Sequence, residues 1–200
     1  MLFPIVRHIQ RYEYIGMSDY ITDKTVLDIG CGSAYGTVLL SNWASEIIGL
    51  DPKLAEYKDN VNMPVFQCPG RIPGKVHLLD KCWEDVNVGQ SQVNVIVALE
   101  LIEHLANPKK FVEFASVLGD YLFITTPLAK KTGSTDNMEH VNEYSKKSMR
   151  NMLSKHFDIL KTVYQHADLR ITADAVANGS SINPDHVVQM YWCQSKRRKR

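Results

Sequence analysis

Residues 25–30, Thr-Val-Leu-Asp-Ile-Gly, form a short β-forming run that leads straight into glycines, and helical apolar spacing resumes at Tyr35 with Val38, Leu39 and Trp43. A second strand, Glu46–Leu50, follows and is stopped after Asp51 by Pro52. A strand, a glycine turn, a helix and a strand make a βαβ unit, which places its two strands parallel and covers them with a helix. The same alternation continues: Lys75–Leu79, Val93–Leu99 and Tyr121–Thr126 read as strands. Between the last two, Asn107-Pro108 opens a helix whose buried stripe is Phe111, Val112, Ala115 and Leu118. Strands alternating with helices specify a doubly wound, mostly parallel α/β sheet, Rossmann-like and in one domain.

At the far end, Ser145 caps a helix whose core face is Met149, Met152 and Leu153. Phe157–Gln165 and His186–Gln194 then read as strands with no helix between them, so they are expected to pair antiparallel, for seven strands in all, the last antiparallel. Ahead of the sheet, Ile5, Val6, Ile9 and Tyr12 recur at helical spacing among Arg7, Gln10, Arg11 and Glu13, an amphipathic opening helix. Pro52–Gly74 carries too many prolines and glycines for more than a short helix near Leu54–Asn60.

The chain has 200 residues, 44% hydrophobic and 22% charged, which suits one folded domain and excludes a disordered or fibrous chain. Its longest apolar stretch, Val93–Leu99, is far too short to cross a bilayer. Met1–Arg11 has no signal-peptide pattern, so a cytoplasmic protein is expected. The net charge is +1, but the last five residues are all basic; without them 18 basic residues face 22 acidic ones, a body of net charge −4. That sign argues against a surface built to hold nucleic acid along its length. Residues 1–195 are therefore read as the domain and 196–200 as a basic tail, either a solvated end or an electrostatic arm for RNA, DNA or ribosomes. Cys31, Cys68, Cys82 and Cys193 lack C-x-x-C pairing and read as reduced thiols.

The chemistry concentrates where strand turns into helix, the crevice in which doubly wound sheets take their ligands. In Asp28-Ile-Gly30-Cys-Gly32-Ser-Ala-Tyr-Gly36, glycines let the backbone approach a ligand closely, and Asp51 at the tip of the next strand is placed to accept both hydroxyls of an adenosine ribose. A dinucleotide fingerprint would need its third glycine at Tyr35. Asp28 would repel a pyrophosphate and attract a cationic amino-acid group, which favours S-adenosylmethionine over NAD.

Val26-Leu-Asp28-Ile-Gly30-Cys31-Gly32-Ser-Ala-Tyr35-Gly-Thr37 resembles motif I of the class I S-adenosylmethionine-dependent methyltransferases, and Gly49-Leu-Asp51-Pro52 resembles their ribose-binding motif. Ala98-Leu99-Glu100-Leu-Ile-Glu103-His104-Leu and His140-Val-Asn-Glu143-Tyr144 extend the resemblance to the subgroup with ubiquinone-biosynthesis O-methyltransferases. The resemblance implies cofactor contacts at Asp28, Gly30, Cys31, Gly32, Tyr35, Asp51, Pro52, Leu99 and Glu100, and an opening helix whose Arg11 and Tyr12 fold over the cofactor, Arg11 toward its carboxylate. Arg11 reads equally as a solvated helix position. Cys82 holds the place where many members put an acid against the adenine amino group, and Trp83 beside it reads as an adenine-stacking ring or as core. Ala34 departs from the family's third glycine, with modest weakening of cofactor binding expected.

For a hydroxyl acceptor, a base or a metal must help remove the proton. Glu100, Glu103 and His104 share one face if 100–104 is helical, and His140 returns to the same sheet edge. Together these four resemble the metal site of the RNA 3′-terminal 2′-O-methyltransferases of small-RNA silencing; manganese, iron or zinc suits such a set better than magnesium. Glu100, His104 and His140 are otherwise candidate catalytic residues, His104 or His140 as a general base, or the histidines pack the sheet edge. The remaining histidines, His8, His77, His156, His166 and His186, read as surface or core residues. The expected activity is methyl transfer to an oxygen of a small-molecule or glycan-like acceptor; a metal-assisted RNA 2′-O-methyltransferase, a non-catalytic cofactor-binding protein and an NAD oxidoreductase are the alternatives.

Overall fold

The computed structural model describes residues 3–58, 75–87, 93–129, 140–173 and 187–199. Its strands are β1 (Thr25–Ile29), β2 (Glu46–Leu50), β3 (Val76–Leu79), β4 (Val93–Leu99), β5 (Gly119–Pro127), β6 (Phe157–Gln165), β7 (Ile171–Ala173) and β8 (Val188–Ser195). Its helices are α1 (Phe3–Gly16), α2 (Tyr35–Leu40), α3 (Leu54–Lys58), α4 (Pro108–Leu118) and α5 (Lys146–Leu153). The strands follow the order β3-β2-β1-β4-β5-β8-β6-β7, the mixed α/β sheet expected, with eight strands instead of seven. The extra one, β7, pairs antiparallel with β6 through Val163–Ala173 and Gln165–Ile171. Three residues, two half-exposed and one exposed, carry no alternation long enough to register as a strand. No helix among the described residues is long and apolar enough to cross a membrane.

Two compact units, Met1–Val97 and Ala98–Arg200, divide the chain within β4. In the first, β1 pairs parallel with both β2 and β4, and β2 pairs parallel with β3. Val26, Ile47, Val95 and Ile96 are fully buried, as strands covered on both faces require. α1 keeps part of the expected stripe and shifts the rest: Tyr12 is buried as expected, but Ile5 and Val6 are 39% and 43% exposed, and Arg11 and Ile15 are buried beside Tyr12. The face is set by the Tyr12 ring, which lies where a Cβ on Gly36 would stand, 2.0 Å from the nearest ring atom. For the same reason α2 buries Gly36, Thr37 and Leu40 rather than the Val38, Leu39 and Trp43 stripe, and it ends at Leu40. Trp43 packs instead against Gly16. α3 begins at Leu54 as expected; the loop expected through Gly74, and Cys68 in it, lie outside the described residues.

In the second unit β8 lies antiparallel between β5 and β6, as the helix-free connection requires. A bulge in β6 between Ile159 and Lys161 turns Leu160 outward, 43% exposed. His186, where the last strand was expected to start, lies outside the described residues. α4 opens on Pro108 and buries Phe111, Val112, Ala115 and Leu118 as expected, although Asn107 makes no side-chain cap. α5 is capped by Ser145, whose Oγ accepts from the Ser148 N–H. The basic tail is not loose through residue 199: Lys196–Lys199 form a 3-10 turn, and Lys196 Nζ donates to the Ser154 carbonyl at 2.6 Å.

Candidate functional site

In the first unit the β1–α2 loop is coiled by three left-handed residues, Gly30 (φ 73°), Gly32 (φ 55°) and Ala34 (φ 63°). The N–H groups of Gly30 and Cys31 both donate to the Leu50 carbonyl, at 2.8 and 3.0 Å, and this stitches the loop to the end of β2. A Cβ on Gly32 would meet nothing within 4 Å, so the loop faces open space there. Beside that space, Asp51 is oriented from two sides: its carboxylate accepts the Gly32 N–H at 2.9 Å and the Lys53 N–H at 2.8 Å. Each oxygen keeps a lone pair for a diol. Ala34 sits at the third-glycine position in the conformation that glycine favours, with its methyl in a small cluster with Cys31, Leu54 and Leu78.

Asp28 is fully buried. Its carboxylate accepts the Thr37 hydroxyl at 2.7 Å and the Tyr12 hydroxyl at 3.2 and 3.3 Å. Burial, chiefly, and then the Asp51 charge raise the carboxyl against the pull of the two hydroxyl donors, for a net position of about 7. Above the loop, His8 Nδ1 and the Tyr35 hydroxyl are hydrogen-bonded, with the His8, Tyr12 and Tyr35 rings edge to face. Burial and the neighbouring Arg11 hold His8 down to about 3, so it is neutral at physiological pH. Arg11 is 2% exposed and so is not a solvated helix position.

Cys31 is buried, and burial raises its thiol well above the ordinary range. At the tip of β3, Cys82 is half-buried, and its thiol is raised by burial and by Glu84, Asp85 and Asp51. Trp83 opens a 3-10 turn and is half-buried, which excludes a fully buried core ring. Pro52 is exposed.

In the second unit Leu99 is buried at the end of β4, and Glu100 follows with φ 50°, its N–H donating to the carbonyl and hydroxyl of Thr125, each at 3.1 Å. This left-handed step and the short 3-10 turn Ile102–His104 replace the expected helical turn, so Glu100, Glu103 and His104 do not share a helical face. Ligand atoms of Glu103, His104 and His140 come within 4.8 Å of one another; Glu100 stands outside that group. The Val141 and Asn142 N–H groups donate to the Glu103 carbonyl at 2.9 and 3.0 Å, and Asn142 Nδ2 donates to the Leu105 carbonyl, which docks residues 140–144 on the turn. His140 Nδ1 lies 3.5 Å from Glu143 Oε1. Burial and the Glu103 charge push the Tyr144 hydroxyl up to about 12.

One contributor carries no motif signal: Gln189, buried in β8, donates to the Tyr144 and Pro127 carbonyls and accepts from the Tyr191 hydroxyl. Thr37, the last residue of the motif I match, and Tyr12 of the opening helix act through Asp28, a role the resemblance does not give them. A polar residue at a fully apolar strand position was the available sign for Gln189.

A doubly wound sheet whose first glycine loop is open at Gly32 and whose second strand ends in an oriented carboxylate defines a nucleoside-cofactor domain. Residues 9–158 match the methyltransferase domain family, and the chain belongs to it. The mitochondrial ubiquinone biosynthesis O-methyltransferase of Dictyostelium discoideum is 32% identical over 114 residues, covering 50% of this chain and 34% of that protein. The chain thus spans about a third of that relative's length. Among solved structures, the small RNA methyltransferase HEN1 superposes with a TM-score of 0.68 at 18% identity, covering 94% of this chain and 25% of that one. The N-methyltransferase NodS of Bradyrhizobium japonicum WM9, in complex with S-adenosyl-L-homocysteine, does so with a TM-score of 0.65 at 10% identity, covering 94% and 86%. These two likenesses establish the fold.

Proposed function

We propose that this chain transfers the methyl group of S-adenosylmethionine to an oxygen of a small-molecule acceptor. The observation that carries the reading is the Asp51 carboxylate held by Gly32 and Lys53 at the edge of the open space over the loop. The residues fit the cofactor: Asp51 would accept ribose hydroxyls, Gly30 and Gly32 would let the backbone approach the methionine end, and Asp28, when ionised, would supply negative potential toward its ammonium group. When bound, S-adenosylmethionine supplies a methyl group already activated by its sulfonium, so the protein's work is positioning. Similarity to an O-methyltransferase favours oxygen as the acceptor atom.

Glu103, His104 and His140 fit a divalent metal, with one carboxylate and two imidazoles suited to zinc, iron or manganese. Such an ion would lower the pKa of an acceptor hydroxyl. This gathering favours one second reading, RNA 2′-O-methylation with the metal on the terminal ribose. Formation of S-adenosylhomocysteine is the test, measured with phenols, catechols, sugars and a short RNA with a free 3′ end. Turnover on the phenols or catechols supports the first reading, and turnover on RNA alone supports the second. Cofactor binding without turnover on any acceptor would leave a non-catalytic binding protein.

A further inference from the structure

We propose that Tyr12 is a positioning residue of the cofactor site: its hydroxyl favours the charged form of Asp28 and so makes cofactor affinity depend on the docking of α1 against the glycine loop. The inference rests on the cofactor reading above. Three observations carry it. The Tyr12 hydroxyl reaches both oxygens of a carboxylate that is 0% exposed. Its ring occupies the space that the absent Gly36 side chain leaves, so the hydroxyl is aimed by packing as well as by the bond. Only one other side-chain donor to that carboxylate is found among the described residues, Thr37.

Among the described residues, the polar and titratable groups acting on Asp28 are Tyr12 from α1, Thr37 from α2, Asp51 from the tip of β2 and the Cys31 thiol from the loop; the flanking β4 places Val97 beside it. Asp51 opposes ionisation of Asp28 and the two hydroxyls favour it. With burial, the Asp51 charge and both hydroxyl donors together leaving the carboxyl at about 7, loss of a single donor changes how much of it is charged at neutral pH. A charged Asp28 favours the ammonium of the cofactor, and a neutral one does not.

The test is calorimetric binding of S-adenosylhomocysteine and of 5′-methylthioadenosine, which lacks the amino-acid group, to wild type and Tyr12→Phe between pH 5.5 and 7.5. In wild type, affinity for S-adenosylhomocysteine rises with pH as Asp28 ionises. A lost hydrogen bond to a charged group raises the carboxyl by roughly one unit, so at pH 7 Tyr12→Phe binds S-adenosylhomocysteine about fivefold more weakly and 5′-methylthioadenosine unchanged. Gly36→Ala, which pushes the Tyr12 ring out of its seat, moves the profile the same way and serves if Tyr12→Phe does not fold. An unshifted profile, or equal weakening of both ligands at every pH, overturns the proposal and leaves Tyr12 as packing. If wild type binds neither ligand, the cofactor reading falls and this inference with it; if it binds both and the profile stays put, only this inference falls.

Discussion

Asp28 and His8 give the first unit two opposed pH dependences that the wild-type protein conceals. Asp28 titrates near 7 when folded and near 3.8 when unfolded, so between those values the folded state holds the extra proton and stability falls as pH rises. Over about three pKa units the loss amounts to roughly 4 kcal/mol, an upper bound because the group is wholly buried and free to relax. His8 titrates near 3 folded against 6.5 unfolded; there the unfolded state holds the extra proton, and stability is lost as pH falls through that window. Each slope is at most about 1.4 kcal/mol per pH unit, and between pH 4 and 6.5 they cancel. Substitution separates them. Urea unfolding at half-unit steps from pH 4.5 to 8 should show Asp28→Asn gaining stability relative to wild type as pH rises, and His8→Gln gaining relative to wild type as pH falls. Common contributions from other groups drop out of these differences. If both variants run parallel to wild type, burial does not control these groups and the account of the glycine-loop electrostatics is wrong.

Asp51→Ala removes the oriented acceptor for the ribose and should weaken S-adenosylhomocysteine binding by about tenfold to a hundredfold in calorimetry, with little change in melting temperature. Ala34→Gly relieves a left-handed backbone at a cost of one buried methyl group and added unfolded-state entropy; these offset, so chemical denaturation should show a change under about 1 kcal/mol, whereas Ala34→Val should destabilise strongly. Zinc or manganese titrated into metal-stripped protein should bind at one site per chain, and His140→Ala should abolish that binding while leaving S-adenosylhomocysteine affinity intact; elemental analysis and calorimetry check both.

The sequence made the first unit's frame legible because each constraint there is local. Asp28, Gly30 and Gly32 fall at a strand-to-helix junction, and Asp51 falls at the next strand's end, so periodicity and spacing suffice. What was not legible depends on partners distant in sequence. α1 buries Tyr12 as its periodicity predicts, but it also buries Arg11 and leaves Ile5 and Val6 partly exposed, because Gly36 makes a seat for the Tyr12 ring that helical periodicity cannot register. The Glu100–His104 segment contains the residues of a helical face, yet Glu100 is turned left-handed, its N–H held by Thr125 in β5. β7 is too short and too exposed to announce itself.

The placement of β8 between β5 and β6 sets an order of events during synthesis. The facing backbone groups of those two strands have no sheet partner until Val188–Ser195 leaves the ribosome, about 60 residues after β5 is complete. Until then, the nascent second unit presents two unsatisfied strand edges, which makes this the stage at which a chaperone would matter most.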